Sequence, residues 1–267
     1  MIEQTFNLKG GVLIIGSLLW QDYVRRKSNT IRLDWRNNHL ELKSAIGVKT
    51  PIRYGRISGG GVYTMTFANS CRGKNLGTGF VVPFRNNPIT NFTQLRDEAR
   101  ELARAEGMDR TFISSIDRNP WCVLGILFNK KKKSKANITA VSNWWEKQLI
   151  QDEDYSRFQS ADFGLGKEKT CILSNGVLNI PWVVPIKSQD KKELGEYDFV
   201  IATATLPTRD KYPSIKKLVS AVERDTDRRY FLRNYERGIT TFQDERVNAK
   251  LKSSKTHTDH LGRIVNK

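Results

Sequence analysis

The sequence predicts an α+β protein with a mixed, curved or barrel-like β-sheet, flanking helices and a C-terminal α/β extension. Short runs rich in β-branched and aromatic residues come in clusters, and they outnumber what a helical bundle would need. Helical periodicity is clear in only a few segments between these runs. A chain of 267 residues can bury a large core, so one or two domains are expected.

The first half of the chain carries most of the predicted strands. Residues 11–15 form an apolar run that ends abruptly at Gly16-Ser17. The stretch "RRKSNTIRLDWRNN", residues 25–38, is predicted to be a polar connection of basic character. Further strands are expected in four runs: "AIGVKTPIRYGRIS", "VYTMTFA", "GTGFVVPF" and "WCVLGILF".

The clearest predicted helix covers residues 91–106. Asn91 followed three residues later by Gln94 is typical of a capping box, and Gly107 is a stop signal. In the second half we expect a helix in "VSNWWEKQLIQD", a long strand from Tyr197 to Leu206, and an amphipathic helix from Ser214 to Asp225. The predicted division is a core at 1–130 and an extension at 131–267 that packs on this core.

The chain is strongly basic, with a formal net charge of +17. This balance favours polyanionic partners such as nucleic acid or small anionic substrates. Part of the excess is local, in the run "KKKKSK" and in the basic tail 246–267, and such runs usually lie in solvated loops. A soluble protein with an ordinary basic surface is the alternative interpretation.

The sequence predicts a cytoplasmic protein without a membrane span. No apolar run approaches the roughly 20 residues that a spanning helix needs, and the N-terminus lacks a signal-peptide pattern. The three cysteines are scattered without paired spacing, which argues against a disulfide framework or a zinc site. No metal-ligand arrangement is apparent either, so neither a metal nor a cofactor is expected.

Glu106 is the most informative side chain of the helix at 91–106. At about 100° per residue it falls near the middle of the apolar face, whereas Glu98 lies at the edge of this face. A partly desolvated carboxylate is a typical general base near neutral pH. Because Glu106 is the last residue before the glycine stop, its side chain could instead extend into solvent.

The Gly16-Ser17 turn is the second candidate feature. Backbone N–H groups at the end of a buried strand can bind a carboxylate or another anion where no side chain blocks the approach. An ordinary tight turn is the alternative.

The order of these segments resembles that of the γ-glutamylcyclotransferases, especially the ChaC-like bacterial branch. "IIGSLLW" resembles the "YGSL" loop that follows the family's first strand, and "GTGFVVPF" resembles its glycine-led strand. "PIRYGRIS" and "VYTMTF" resemble the second and third strands, and "ARELARAEGM" resembles the helix that ends in an acidic residue and glycine. The resemblance covers residues 10–130, and the rest resembles an extension found in larger bacterial relatives.

The resemblance implies a lyase-type activity that releases 5-oxoproline from a γ-glutamyl compound, such as a glutathione-like substrate. Glu106 would be the general base, with Glu98 as second choice. The substrate loop would consist of Ile15, Gly16, Ser17 and Leu18, with isoleucine in place of the family's tyrosine at position 15. The reaction needs no metal or cofactor, because the attack is intramolecular.

Arg53, Tyr54 and Arg56 are further candidate substrate-binding residues, because guanidinium groups pair well with carboxylates. Two surface arginines on a strand are the alternative. A second functional hypothesis keeps the fold as a scaffold without catalysis. In that case Lys130 to Lys133 and other basic residues would hold nucleic acid or another anionic partner, and binding would weaken steeply with salt.

Overall fold

The computed structural model describes residues 5–23, 30–59, 61–108, 121–132, 135–151, 158–164, 169–208, 212–225 and 229–253. Its strands are β1 (Gly10–Ile14), β2 (Ile46–Thr50), β3 (Ile52–Ile57), β4 (Tyr63–Phe67), β5 (Gly77–Pro83), β6 (Cys122–Phe128), β7 (Val184–Pro185) and β8 (Phe199–Thr205). Its helices are α1 (Ile31–His39), α2 (Phe92–Glu106), α3 (Lys135–Ile150), α4 (Lys191–Glu196), α5 (Ile215–Arg224), α6 (Tyr230–Glu236) and α7 (244–253).

The predicted α+β class is confirmed, and the barrel-like alternative is wrong. Six of the described strands form one open sheet in the order β6-β8-β1-β5-β2-β7, and β3 and β4 form a separate hairpin. The pairing of β1 with β8 is parallel and the other pairings are antiparallel, so the sheet is mixed. The described strands β6 and β7 lie at opposite edges and do not pair, so the sheet does not close.

The burial of three neighbouring strands of the sheet, β6, β8 and β1, explains the apolar runs in the sequence. All residues of β1 and β6 are buried, as are six of the seven residues of β8. Strands buried on both faces are near-continuous in apolar residues rather than alternating. β8 lies between β1 and β6, so residues beyond 130 supply a central strand of this sheet.

The prediction of a polar connection at residues 25–38 is wrong for its second part, where α1 forms. Helix α1 buries Arg32, Trp35 and Arg36, which follow the three- and four-residue spacing of a helical face. Two of these three positions are arginines, so a hydropathy pattern does not reveal the buried stripe. Residues 24–29 lie outside the described residues.

The ends of α2 match the sequence signals. The Asn91 side chain accepts a hydrogen bond from the backbone N–H of Gln94 at 2.8 Å. The Gln94 side chain accepts from the backbone N–H of Thr90 at 2.9 Å, so the reciprocal half of the predicted capping box is displaced by one residue. Gly107 ends the helix in the left-handed conformation, with φ of 84°.

No helix within the described ranges is both long enough and apolar enough to cross a bilayer. Cys71, Cys122 and Cys171 are buried and form no disulfide with one another.

Candidate functional site

Arg32 and His39 connect α1 to α2 through polar contacts, and one of those contacts involves Glu106. The Arg32 guanidinium donates to the Glu106 carboxylate at 2.9 Å and to the carbonyl oxygen of Ala105 at 2.8 Å. His39 and Glu98 form the other contact, with 3.0 Å between Nδ1 and Oε2. The contacts are about two turns apart on each helix, in reversed order, so the helices run antiparallel.

Glu106 is largely enclosed rather than extended into solvent. Its side chain is 11% exposed, and that of its partner Arg32 is 9% exposed. Within the part of the chain that the structure describes, Arg32 is the hydrogen-bond partner of this carboxylate and uses Oε2 alone, which leaves Oε1 available. A charged carboxylate oxygen without a protein donor can accept a proton or a hydrogen bond from a bound molecule.

Arg32 also connects Glu106 to the turn at the end of β1. The same guanidinium donates to Ser17 Oγ and to Gln21 Oε1, each at 3.1 Å. The carboxylate of Glu106 and the hydroxyl of Ser17 therefore lie on two sides of one planar group. The sequence pattern pointed to Glu106 and to Ser17 separately, but it gave no sign that Arg32 is their common partner.

The turn itself is a short 3₁₀ segment, Ser17–Leu19, with Gly16 before it. The carbonyl of Gly16 accepts from Leu19, and that of Ser17 accepts from Trp20 and Gln21. In the described ranges no acceptor is hydrogen-bonded to the N–H groups of residues 16–18, as expected for the first amides of such a turn. Leu18 is buried, while Ile15, Gly16 and Ser17 are partly exposed.

Arg36 fixes the other side of the turn. It donates to the carbonyl oxygens of Leu18 at 2.9 Å and Gln21 at 2.8 Å, and it pairs with Asp22. Burial lowers the pKa of Arg36, the Asp22 carboxylate opposes this effect, and the positive charges of Arg32 and Arg237 add to it. The turn is thus held by two arginines one helical turn apart on α1.

Helix α6 covers this turn from the second half of the chain. Trp20 Nε1 donates to Asn234 Oδ1 at 2.8 Å, and the rings of Trp20 and Tyr230 meet edge to face at 6.4 Å. A Cβ atom on Gly16 would lie 2.8 Å from Tyr230 Oη, so glycine permits this approach. Burial raises the pKa of Tyr230 to about 12. Tyr230 and Asn234 were not among the predicted site residues, although their spacing of four residues is that of one helix face.

Glu98, the second candidate base, is engaged elsewhere. Its side chain is 4% exposed, and it contacts His39 and the Asn86 amide, the latter at 3.5 Å. The hydrogen bond with Glu98 raises the pKa of His39, and burial partly opposes this effect. Glu98 thus supports the α1–α2 contact about two helical turns from Glu106.

Arg53, Tyr54 and Arg56 lie on the hairpin, and no described contact joins them to Glu106 or to the turn. Arg53 is buried at 1% exposure beside the ring of Tyr212, with 5.4 Å to its centroid. The Tyr54 hydroxyl donates to Asp244 at 3.2 Å. Arg56 donates to the carbonyl of Leu206 at 3.1 Å and lies over Trp121. Their assignment to substrate binding stays a prediction.

Over the described ranges, no group of three or more His, Cys, Asp or Glu side chains is placed to hold a metal ion. Lys130 and Lys131 of the lysine run are exposed, while Lys133 lies outside the described residues. Of the predicted basic tail 246–267, residues 246–253 belong to α7, and residues 254–267 lie outside the described residues.

Comparisons with models of protein families, with curated proteins and with solved structures found no match. The resemblance to the cyclotransferases therefore depends on the residues and motifs quoted above.

Proposed function

We propose that this chain releases 5-oxoproline from a γ-glutamyl compound, with Glu106 as the general base. The observation that carries the proposal is that one guanidinium, Arg32, holds both the Glu106 carboxylate and the Ser17 hydroxyl while Glu106 Oε1 has no partner among the described residues. A free carboxylate oxygen beside a turn with unpaired amides suits a small zwitterion that offers both an amine and a carboxylate.

In the proposed reaction the substrate's neutral α-amine attacks its own γ-carbonyl carbon. A C–N bond forms to close the five-membered lactam, and Glu106 accepts the proton that the attacking amine loses. The protonated Glu106 then gives this proton to the departing amine as the original amide bond breaks. Atoms and charges balance without an oxidant or reductant, and the intramolecular attack supplies much of the rate.

Arg32 would act as a positioning residue in this reaction. Its contacts with Ala105, Glu106 and Ser17 fix the carboxylate at the end of α2 relative to the end of β1. The amides of residues 16–18 would bind the substrate's α-carboxylate. Precise placement of the amine near Glu106 matters because intramolecular cyclisation depends on a near-attack geometry.

The test is an assay of 5-oxoproline release from a panel of γ-glutamyl peptides and γ-glutamyl amines. The proposal expects enzyme-dependent release from at least one member of the panel, and none from a matched α-glutamyl peptide, in which attack of the α-amine on the amide carbonyl would close a strained three-membered ring. No release above the heat-denatured control from any γ-glutamyl compound would contradict it.

The noncatalytic hypothesis predicts a different result, namely salt-sensitive binding of a polyanion. If a chain of net charge +17 binds a polyanion through its surface, the logarithm of its affinity falls linearly with the logarithm of the salt concentration. Strong, salt-sensitive binding of nucleic acid together with no turnover would favour this alternative over the cyclotransferase proposal.

A further inference from the structure

The hydroxyl group of Tyr230 lies directly beside the turn at the end of β1. Its oxygen would be 2.8 Å from a Cβ atom built on Gly16, so it is adjacent to the backbone of this turn. Tyr230 is 9% exposed, and its ring packs edge to face on that of Trp20. Because the ring is held by these contacts, the hydroxyl has a fixed position next to the turn.

The oxygen of this hydroxyl serves as an acceptor, whereas its hydrogen has no acceptor among the residues that the structure describes. The backbone N–H of Met65 donates to Tyr230 Oη at 3.4 Å. A phenol that accepts a hydrogen bond can still donate one of its own. Burial raises the pKa of Tyr230 to about 12, and the contacts with Met65 and Asn234 oppose this effect. The group therefore keeps its proton at neutral pH and can act as a donor.

The charged donors at the turn are already engaged with the protein. Arg32 donates to four protein acceptors and Arg36 to three. The indole N–H of Trp20 donates to Asn234 at 2.8 Å. The hydroxyl of Ser17 accepts from Arg32, and its hydrogen, like that of Tyr230, has no acceptor within the described ranges. A molecule bound at the turn can thus receive hydrogen bonds from these two hydroxyls without breaking an existing contact.

The proposed cyclisation places negative charge on a single oxygen atom. When the α-amine attacks, the γ-carbonyl carbon becomes tetrahedral, and its oxygen carries the charge until the original amide bond breaks. A donor already positioned at that oxygen stabilises the transition state more than the substrate and so raises kcat. The amides of residues 16–18 are assigned to the α-carboxylate, so the oxyanion requires a donor from another element.

We propose that the Tyr230 hydroxyl donates a hydrogen bond to this oxyanion, which makes Tyr230 a catalytic residue supplied by α6. The inference deepens the proposed function and takes the reaction from it. Tyr230 keeps its proton throughout, while Glu106 carries the proton that is transferred. The hydrogen bond strengthens as charge develops on the oxygen and weakens when the carbonyl forms again. A residue beyond the segment that resembles the cyclotransferases would therefore complete the site.

The first test compares Y230F with Y235F in the 5-oxoproline assay. Y230F removes the hydroxyl and keeps the ring, whereas Y235F removes a hydroxyl of the same helix that donates to Glu245 at 3.1 Å. With all variants folded as judged by their melting temperatures, Y230F should lose about 10²- to 10³-fold in kcat with KM nearly unchanged, and Y235F should match the wild type. A wild-type kcat in Y230F together with a loss in S17A would assign the donor to Ser17 and overturn the inference.

The second test measures binding without turnover. The full chain is titrated with 5-oxoproline, whose lactam carbonyl keeps the oxygen that carries the charge in the reaction. We expect Y230F to bind it about tenfold more weakly than the wild type and Y235F do.

Together the two tests separate this inference from the proposed function. If 5-oxoproline is released and Y230F changes neither kcat nor the affinity for 5-oxoproline, the proposed function stands and the donor role of Tyr230 fails. If Y230F weakens the binding of 5-oxoproline but the wild type releases none, the donor role stands and the proposed function fails. If the wild type neither releases nor binds 5-oxoproline, both fail.

Discussion

Asp244 is a buried carboxyl group that the candidate site does not use. It lies at the start of α7, accepts hydrogen bonds from Thr241 at 2.5 Å and from Tyr54 at 3.2 Å, and is 1% exposed. Burial raises its pKa to about 6, the hydrogen bonds with Thr241 and Tyr54 oppose this effect, and Glu245 adds to it. The folded protein therefore binds a proton at this site at a higher pH than the unfolded chain does.

This shift predicts that the protein becomes less stable as pH rises from 3.8, the usual pKa of an aspartic acid in the unfolded chain, to about 6, the pKa of Asp244 in the folded protein. Replacing Asp244 with Asn should remove the effect, so the unfolding free energy of the wild type relative to D244N should fall by about 2 kcal/mol between about pH 4 and pH 7. Urea unfolding of both proteins at a series of pH values measures it. A difference between the two proteins that stays constant, or grows with pH, would refute the assignment.

Gly16 is constrained by one neighbouring atom rather than by its backbone conformation. Its φ is −170°, which other residues adopt, but an added Cβ would lie 2.8 Å from the Tyr230 hydroxyl and 3.8 Å from the ring carbon that bears it. We expect G16A to destabilise the wild type by about 1–3 kcal/mol through overpacking, and to cost clearly less in a Y230F background. A double-mutant cycle of unfolding free energies measures the coupling, and an equal cost of G16A in both backgrounds would show that the hydroxyl is not the obstacle.

At the scale of elements, the antiparallel pair of α1 and α2 positions the candidate base. Arg32 and His39 face Glu106 and Glu98, respectively, so both ends of the contact are polar. The hydrogen bond with Glu98 raises the pKa of His39 above its usual 6.5. The stabilisation from this pair is fully present below the unfolded pKa and is lost as pH rises through the folded pKa.

Replacing Glu98 with Gln should lower the pKa of His39 relative to the wild type. The expected result is a shift in the His39 titration to lower pH, because the charged acceptor of its hydrogen bond is gone. NMR titration measures it, with the His39 resonance assigned from its loss in H39N. An unchanged pKa in E98Q would mean that the pair does not form in solution.

Elements with local signals could be predicted from the sequence, and contacts between elements could not. The cap at Asn91, the stop at Gly107 and the spacing that put Glu106 on the apolar face are all properties of one helix. The partner of Glu106 comes from α1, whose buried face carries Arg32 and Arg36 in place of apolar residues. No periodicity of apolar residues could reveal this helix, so the ion pair was missed.

At the scale of the whole molecule, β8 determines how the sheet is assembled. Its apolar composition predicted a strand, but its place between β1 and β6 is a pairing between residues far apart in sequence, including the parallel register of Gly11 with Val200. The same limit applies to barrel closure, which depends on the order of all strands. The sequence therefore predicted the class, whereas the open sheet became evident only from the structure.

Because β8 lies between β1 and β6, we expect residues 1–130 to be incomplete as a folding unit. Without β8, the backbone groups of β1 and β6 that pair with it would lose their hydrogen-bond partners. The apolar side chains that pack against β8 would become exposed to solvent. We expect a 1–130 fragment to show no cooperative thermal transition, in contrast to the full chain, by circular dichroism and calorimetry. A cooperative transition with native-like near-ultraviolet ellipticity in the fragment would contradict this expectation.

The most direct test of the central claim compares two glutamate substitutions on α2 in the 5-oxoproline assay. E106Q removes the proposed base and keeps an oxygen that can accept from Arg32, while E101Q changes a carboxylate that pairs with Arg104 on the same helix. With both variants folded as judged by their melting temperatures, the account predicts that E106Q loses about 10²- to 10⁴-fold in kcat and that E101Q keeps wild-type activity. Release of 5-oxoproline by E106Q at the wild-type rate would contradict it.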